Sequence, residues 1–103
     1  MTTRITRLED EHRNQMVLKI EGTLTVTDAK LLEEICEDVR EELGYGITID
    51  LAGVAFVGHQ SAAILCRLKD TPELKLQGTP LFVQQIIEAA EAEQSNAKER
   101  DGQ

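Results

Sequence analysis

The chain has 103 residues, 41% of them apolar and only 3% aromatic, and its nineteen acidic and eleven basic residues give a net charge of −8. This length builds one domain around a single modest core. The negative charge repels phosphate backbones and anionic membranes, and there are few rings on which bases could stack, so composition argues against nucleic-acid binding.

No part of the sequence has the pattern of a signal peptide or a membrane span. Residues 1 to 10 contain no apolar run, and nowhere do about 18 apolar residues follow one another. We therefore expect a cytoplasmic protein without direct membrane insertion.

The first strands are predicted to form a hairpin. Residues 3 to 9 alternate imperfectly and suit an edge strand, whereas Met16 to Gly22 alternate clearly between apolar and polar side chains. The polar run from 9 to 15 is typical of a turn, and we expect His12 to lie on its surface.

An acidic helix is predicted next, with Thr27 or Asp28 as its N-cap and Gly44 at its C-terminal end. Its apolar stripe is Leu32, Ile35, Cys36, Val39 and Leu43. Its other face carries Glu33, Glu34, Glu37, Asp38, Glu41 and Glu42. We interpret this face as solvated, with a docking surface as the alternative. Because no histidine lies among these carboxylates, we do not expect catalysis there.

The stretch from Ile47 to Leu68 predicts a strand, a turn and a second helix. Residues 47 to 52 alternate as a strand, and the helix over 59 to 69 ends before Pro72. We expect this strand in the middle of the sheet, with helices 28 to 43 and 59 to 69 covering both of its faces.

The last third predicts a short strand at Leu74 to Gln77 and a final helix. Thr79 is placed as the N-cap of that helix, Pro80 as its first residue, and its apolar stripe ends near Glu91. Residues 1–92 are therefore predicted to form the domain, and residues 93–103 a flexible polar tail.

The two cysteines, Cys36 and Cys66, lie in separate predicted helices among apolar neighbours. This placement favours reduced core side chains over a disulfide or a metal pair. Strands that alternate with helices after an opening hairpin predict an α/β fold whose later strands are parallel and joined by right-handed crossovers.

Several segments resemble the STAS family, the sulphate-transporter and anti-sigma-factor-antagonist domains. Ile49 to Val57, with the small-residue helix that follows, is similar to the central motif of that family. Gly22-Thr23-Leu24 resembles the glycine after its second strand, and Gly78-Thr79-Pro80 resembles the segment before its last helix. The resemblance covers about residues 3 to 90. It implies a STAS-like mixed sheet with helices packed on it, an opening β-hairpin and then βαβα crossovers.

The resemblance departs from the family at the phosphorylated switch. Anti-sigma-factor antagonists have Asp-Ser at the strand end, and a partner kinase phosphorylates that serine. Here Gly58 stands in place of the aspartate, His59 in place of the acceptor serine, and Ser61 where the family has glycine. His59 is either a surface turn residue or a partner contact, with phosphohistidine or proton sensing as rarer alternatives. Ser61 suits a helix N-cap or first turn better than a displaced phosphorylation site.

The resemblance implies a non-enzymatic bacterial module in signal transduction and transcription regulation. Its partner would be a kinase-like ATPase acting as an anti-sigma factor, or a signalling scaffold. The predicted partner-binding residues are Val57, Gly58, His59, Gln60, Ser61, Ala62 and Ala63.

Two alternatives stay open beside this function. One is a STAS-type accessory subunit of a lipid or anion transport ATPase. The other is a small hydrolase using His59 as base and Ser61 as nucleophile, although the sequence offers no third catalytic group. No nucleotide-binding glycine motif occurs, and no cofactor or metal is predicted.

Overall fold

The computed structural model describes the backbone of residues 3–101 and the side chains of residues 3–93. In this part of the chain, four strands and three helices follow one another as β1 (Arg4–Asp10), β2 (Gln15–Leu24), α1 (Val26–Glu42), β3 (Gly46–Val57), α2 (His59–Lys69), β4 (Leu74–Gln77) and α3 (Leu81–Asp101).

The strands form one mixed sheet in the order β1-β2-β3-β4. β1 and β2 pair antiparallel as a hairpin, and β2, β3 and β4 pair parallel to one another. The predicted α/β class, the opening hairpin and the helical crossovers are confirmed. β3 lies between β2 and β4, which confirms the prediction that this strand is in the middle of the sheet. His12 is exposed in the β1–β2 turn.

The helices cover only one face of the sheet, which corrects the prediction that α1 and α2 cover opposite faces of β3. On the covered face, the strand residues Met16, Leu18, Ile20, Ile47, Ile49 and Leu51 are each 1% exposed or less. On the other face, Val17 and Thr48 are half-buried and Lys19 is exposed. α2 packs directly against both α1 and α3. The reason is that right-handed crossovers advancing in one direction across a sheet place their helices on the same side.

β3 is longer than predicted and continues as a strand to Val57. β2 runs beside it to Leu24, with irregular register around Gly22. The two backbones approach closely there, because a Cβ on Gly53 would lie 2.8 Å from Glu21 Cγ and 3.2 Å from the Ile20 carbonyl oxygen. The small residues that were predicted to form a turn therefore permit close pairing instead.

The caps of α1 were predicted correctly at one end only. The N-cap is Thr25, ahead of the predicted Thr27 or Asp28, and its hydroxyl accepts the Asp28 N–H at 3.2 Å. The same hydroxyl donates to Asp28 Oδ2 at 2.7 Å. At the other end, Gly44 has φ +65° and its N–H bonds to the Val39 and Arg40 carbonyls, which confirms it as the residue that ends the helix.

The last helix begins one residue later than predicted and extends past Glu91. The Pro80 carbonyl accepts the Gln84 N–H at 3.0 Å, so Pro80 stands just before α3 instead of at its first position. The predicted tail, residues 93–103, lies almost wholly outside the residues whose side chains are described, and its flexibility stays a prediction. Among the described residues, no helix is both long and apolar enough to cross a membrane.

Both cysteines are free and buried, which confirms the prediction of reduced core side chains. Burial raises the pKa of the Cys36 thiol to about 12 and also raises that of Cys66. Neither side chain therefore has the thiolate character that reactivity needs.

Charged side chains join α2 to its two neighbouring helices. The Arg67 guanidinium donates from Nε and Nη2 to both carboxylate oxygens of Glu33 on α1, at 3.1 and 3.0 Å. Lys69 Nζ lies 2.6 Å from Glu91 Oε1 on α3. Glu33 was predicted to lie on the solvated face of α1 but is half-buried in an ion pair between two helices. The other acidic residues of that face are exposed.

The α1 cap predicts a pH-dependent effect of Thr25→Ala. Hydrogen bonds from the Thr3 and Thr25 hydroxyls hold the pKa of the Asp28 carboxyl below its usual value. The ionised form is favoured in the folded state, so this stabilisation is present at neutral pH and is lost as the pH falls below about 4. We expect Thr25→Ala to lower the unfolding free energy by about 1 kcal/mol at pH 7.

Urea denaturation of both proteins between pH 7 and pH 3 measures this effect. The difference in unfolding free energy between the two proteins should narrow below about pH 4, because protonation of Asp28 removes the charged acceptor. It should not vanish, because the native Thr25 hydroxyl still accepts the Asp28 N–H. A difference that widens at acid pH would contradict the assignment.

Candidate functional site

The predicted site lies where β3 ends and α2 begins, at the carboxyl end of an interior strand. Gly58 is the N-cap of α2, with extended backbone at φ −80° and ψ 171°, and its carbonyl accepts the Ala62 N–H at 2.9 Å. Among the side chains of residues 3–93, none caps this helix, and its first turn contains no acidic residue. Within this part of the chain, the first N–H groups of α2 have no side-chain partner.

The predicted binding residues divide into an outward and an inward set. His59 and Gln60 are exposed, and Gly58 and Ala63 are half-buried. The inward set consists of Val57 and Ser61, each 2% exposed, and Ala62 at 0%.

The inward residues belong to the core. The helical period of α2 turns Ser61 and Ala62 toward the sheet together with Leu65. Val57, Ser61 and Ala62 are therefore core residues in this structure, and their contact with a partner stays a prediction. A bulky or charged residue at Ala62 would disrupt packing and would not probe a surface.

Ser61 joins α2 to the end of β2. Its Oγ donates a hydrogen bond to the Leu24 carbonyl at 2.9 Å, and this bond is buried. Leu24 is the last residue of β2 and is in register with Val57 of β3. Ser61 is thus a first-turn residue, as one of its predictions stated, and it is not the N-cap. Its hydroxyl is hidden from any enzyme that acts on the folded protein.

His59 pairs with a residue from the last helix. Its Nε2 lies 3.2 Å from Glu93 Oε1, and the two side chains are 65% and 66% exposed. The contact links the start of α2 to α3 across the surface of the protein. Because both side chains are mostly exposed, this contact adds little to stability and chiefly positions the imidazole.

The hydrolase alternative needs His59 and Ser61 to form a base–nucleophile pair. The Ser61 hydroxyl is instead bonded to the Leu24 carbonyl, and the His59 ring is directed to Glu93. A nucleophile requires a base within hydrogen-bond reach and access to substrate, and the geometry brings neither to Ser61.

Phe56 is a surface residue that the sequence prediction left out of the site. It is 57% exposed, although it is one of only two phenylalanines in the chain. It stands two residues before Gly58, at the end of β3. The only feature of the sequence that could have added Phe56 to the site was its position next to the predicted docking residues. Apolar and polar residues stop alternating after Leu51, so the sequence did not show which face of β3 its ring lies on.

Two concave regions occur elsewhere on the described surface. One, of about 730 Å³, lies near the β1–β2 turn and the starts of β3 and β4, and the other, of about 510 Å³, lies between β4 and α3. Among residues 3–93, no group of three or more His, Cys, Asp or Glu side chains is placed to hold a metal ion.

Comparison with protein-family models gave no match, and comparison with curated proteins gave none either. The features of the molecule that bear on function are therefore its own residues and contacts. These are an exposed aromatic ring, an uncapped helix start and a pair of polar side chains at the end of an interior strand.

Ser61→Ala should destabilise the fold without changing the exposed residues of the site. The change leaves the buried Leu24 carbonyl without its donor, which costs about 1–3 kcal/mol. Urea denaturation measures this loss, and Thr27→Ala, at an exposed position of α1, serves as the control. Equal stabilities of the Ser61 and Thr27 variants would show that the hydrogen bond does not hold α2 in place.

Proposed function

We propose that this protein is a non-enzymatic, cytoplasmic interaction module that regulates a partner protein. Its docking surface, here named the α2-start surface, consists of Phe56, Gly58, His59, Gln60 and Ala63. The observation that carries the proposal is the exposure of Phe56, more than half of whose surface is open beside the uncapped start of α2. Aromatic rings at the centre of an interface contribute much of its binding energy.

The geometry of the α2-start surface supports docking over catalysis. A partner that packs on Phe56 can also donate and accept hydrogen bonds at Gln60 and at the His59–Glu93 pair. It can place an acceptor against the free N–H groups of the first turn of α2. Under this proposal an apolar anchor, Phe56, combines with polar residues that follow it in the chain, and such a combination is the usual anatomy of a protein interface.

The resemblance to the STAS family supports the choice of partner class. We propose a kinase-like ATPase of the anti-sigma-factor type, or a signalling scaffold, as the protein that docks here. The acidic surface of α1 and the net charge of −8 favour a partner whose facing surface is basic.

Two substitutions on the α2-start surface should abolish partner capture. Phe56→Ser removes the apolar anchor, and Gln60→Arg places a bulky cation beside it. Both side chains are exposed, so we expect both variants to fold. Leu81→Ser is the matched control, because Leu81 is 69% exposed at the start of α3. Immobilised proteins would be incubated with lysate of the source organism, and bound proteins quantified by mass spectrometry.

We expect one ATPase to be retained by the native chain and by Leu81→Ser, and reduced at least about tenfold by both site variants. Unchanged thermal melting of all variants is the control for folding. An identical capture profile for all four proteins would contradict the α2-start surface. Capture of a transport ATPase through the same residues would replace the anti-sigma-factor partner with the transport alternative.

The same surface should not be switched by serine phosphorylation. Ser61 is the serine of the first turn of α2, and its hydroxyl is buried against Leu24. The folded protein, incubated with the captured ATPase and ATP, should gain no stoichiometric phosphate on Ser61. Intact mass spectrometry at neutral pH, which also preserves acid-labile phosphohistidine, measures this. A gain of one phosphate that Ser61→Ala abolishes would refute the prediction.

A further inference from the structure

β4 is an edge strand of the sheet, and its outer side carries unpaired backbone groups. The Ile47 N–H of β3 donates to the Glu73 carbonyl at 2.9 Å, and Ile47 is in register with Leu74. In a parallel ladder, this register determines which backbone N–H and C=O groups of β4 bond to β3. The N–H and C=O groups of Lys75 and the N–H of Gln77 point toward β3. The N–H and C=O groups of Leu74 and Leu76 therefore point away from the sheet.

The outward side of β4 opens on the groove of about 510 Å³ that separates it from α3. Leu74, Leu76 and Ile87 supply its apolar lining. Lys69, Gln84 and Glu88 are among its polar residues. A row of unpaired backbone groups beside an apolar groove is the arrangement that accepts an extended peptide as an additional strand.

Lys75 sets the charge that this edge recognises. Its side chain is exposed on the opposite face of the sheet from the buried Leu74, and no ion pair of Lys75 occurs among the side chains of residues 3–93. A strand added to β4 would place one residue directly beside Lys75, where opposite charges attract and like charges repel.

The same lysine disfavours a second copy of this chain as the occupant. Antiparallel pairing of two β4 edges through the outward groups of Leu74 and Leu76 would place the two Lys75 residues opposite each other. The like charges would lie at the two-fold axis, where strands approach most closely.

We propose that β4 binds an extended segment of another protein in which an acidic residue stands between two apolar residues. The backbone of the segment pairs with the outward groups of Leu74 and Leu76. The acidic side chain lies beside Lys75, and the apolar side chains enter the groove next to Ile87. This surface is separate from the α2-start surface and does not depend on the proposed function.

Synthetic peptides and charge-matched variants test the proposal. The probe is a capped nine-residue peptide with a central glutamate, valine on both sides of it and serine elsewhere, and its comparison peptide has a central lysine. Both are titrated into the ¹⁵N-labelled full chain. The protein variants are Lys75→Glu and, as the control with the same change of net charge, Lys30→Glu at an exposed position of α1.

We expect the glutamate peptide to bind the native chain and Lys30→Glu equally. Lys75→Glu should weaken it at least about fivefold, and the lysine peptide should bind Lys75→Glu better than it binds the native chain. Hydrogen exchange supplies an internal control. The Leu74 and Leu76 amides should exchange rapidly in the free protein and slowly with peptide, whereas the Lys75 and Gln77 amides should be protected in both states.

Three outcomes would overturn the proposal. The first is absence of binding at about 1 mM peptide, which is weaker than any specific use would need. The second is binding whose affinity is the same for both peptides and for Lys75→Glu, or binding that does not slow hydrogen exchange at the Leu74 and Leu76 amides. The third is a dimer in sedimentation whose Leu74 and Leu76 amides are already protected without peptide, which would make a second copy the occupant.

Discussion

The architecture depends on one constraint, which is the handedness of its two crossovers. Parallel connections are right-handed as a rule, and the strands follow one another across the sheet without reversal, so this rule places α1 and α2 on the same face. One core layer then forms between that face and the helices. The opposite face stays open to solvent, and β4 is left at an edge. The start of α2 consequently meets the carboxyl end of β3, an interior strand, where side chains can face outward on a rigid support.

α2 is the element through which the helical layer is held together. Its buried side rests on the sheet and is joined to the end of β2 by the hydrogen bond between Ser61 and the Leu24 carbonyl. Its exposed side is joined to α1 by Arg67–Glu33 and to α3 by Lys69. Of these contacts, the Ser61 hydrogen bond lies in the first turn and holds that turn against the end of β2. This is favourable for binding, because a surface that is already ordered loses less entropy when a partner docks.

Local pattern predicted the elements of this fold well, but not which surfaces they leave exposed. The alternation of Met16 to Ile20 and of Ile47 to Leu51 was sufficient to place two adjacent strands, and Gly44 marked a helix end through its positive φ. The extension of β3 through Gly53 was missed, because it depends on the close approach of Glu21 from another strand. Ala62 was taken as a surface residue for a similar reason, since a small side chain does not reveal which side of a helix is buried.

The start of α2 is linked to α3 through its exposed histidine. Gly58 brings no carboxylate to this helix terminus, where the dipole of α2 favours negative charge. Glu93 supplies a carboxylate from α3, held at 3.2 Å by the ring of His59. An acidic side chain of α3 therefore lies beside His59, although the first turn of α2 has none of its own. The hydroxyl of Ser61, on the buried side of the same turn, is bonded to the Leu24 carbonyl and so has a structural role.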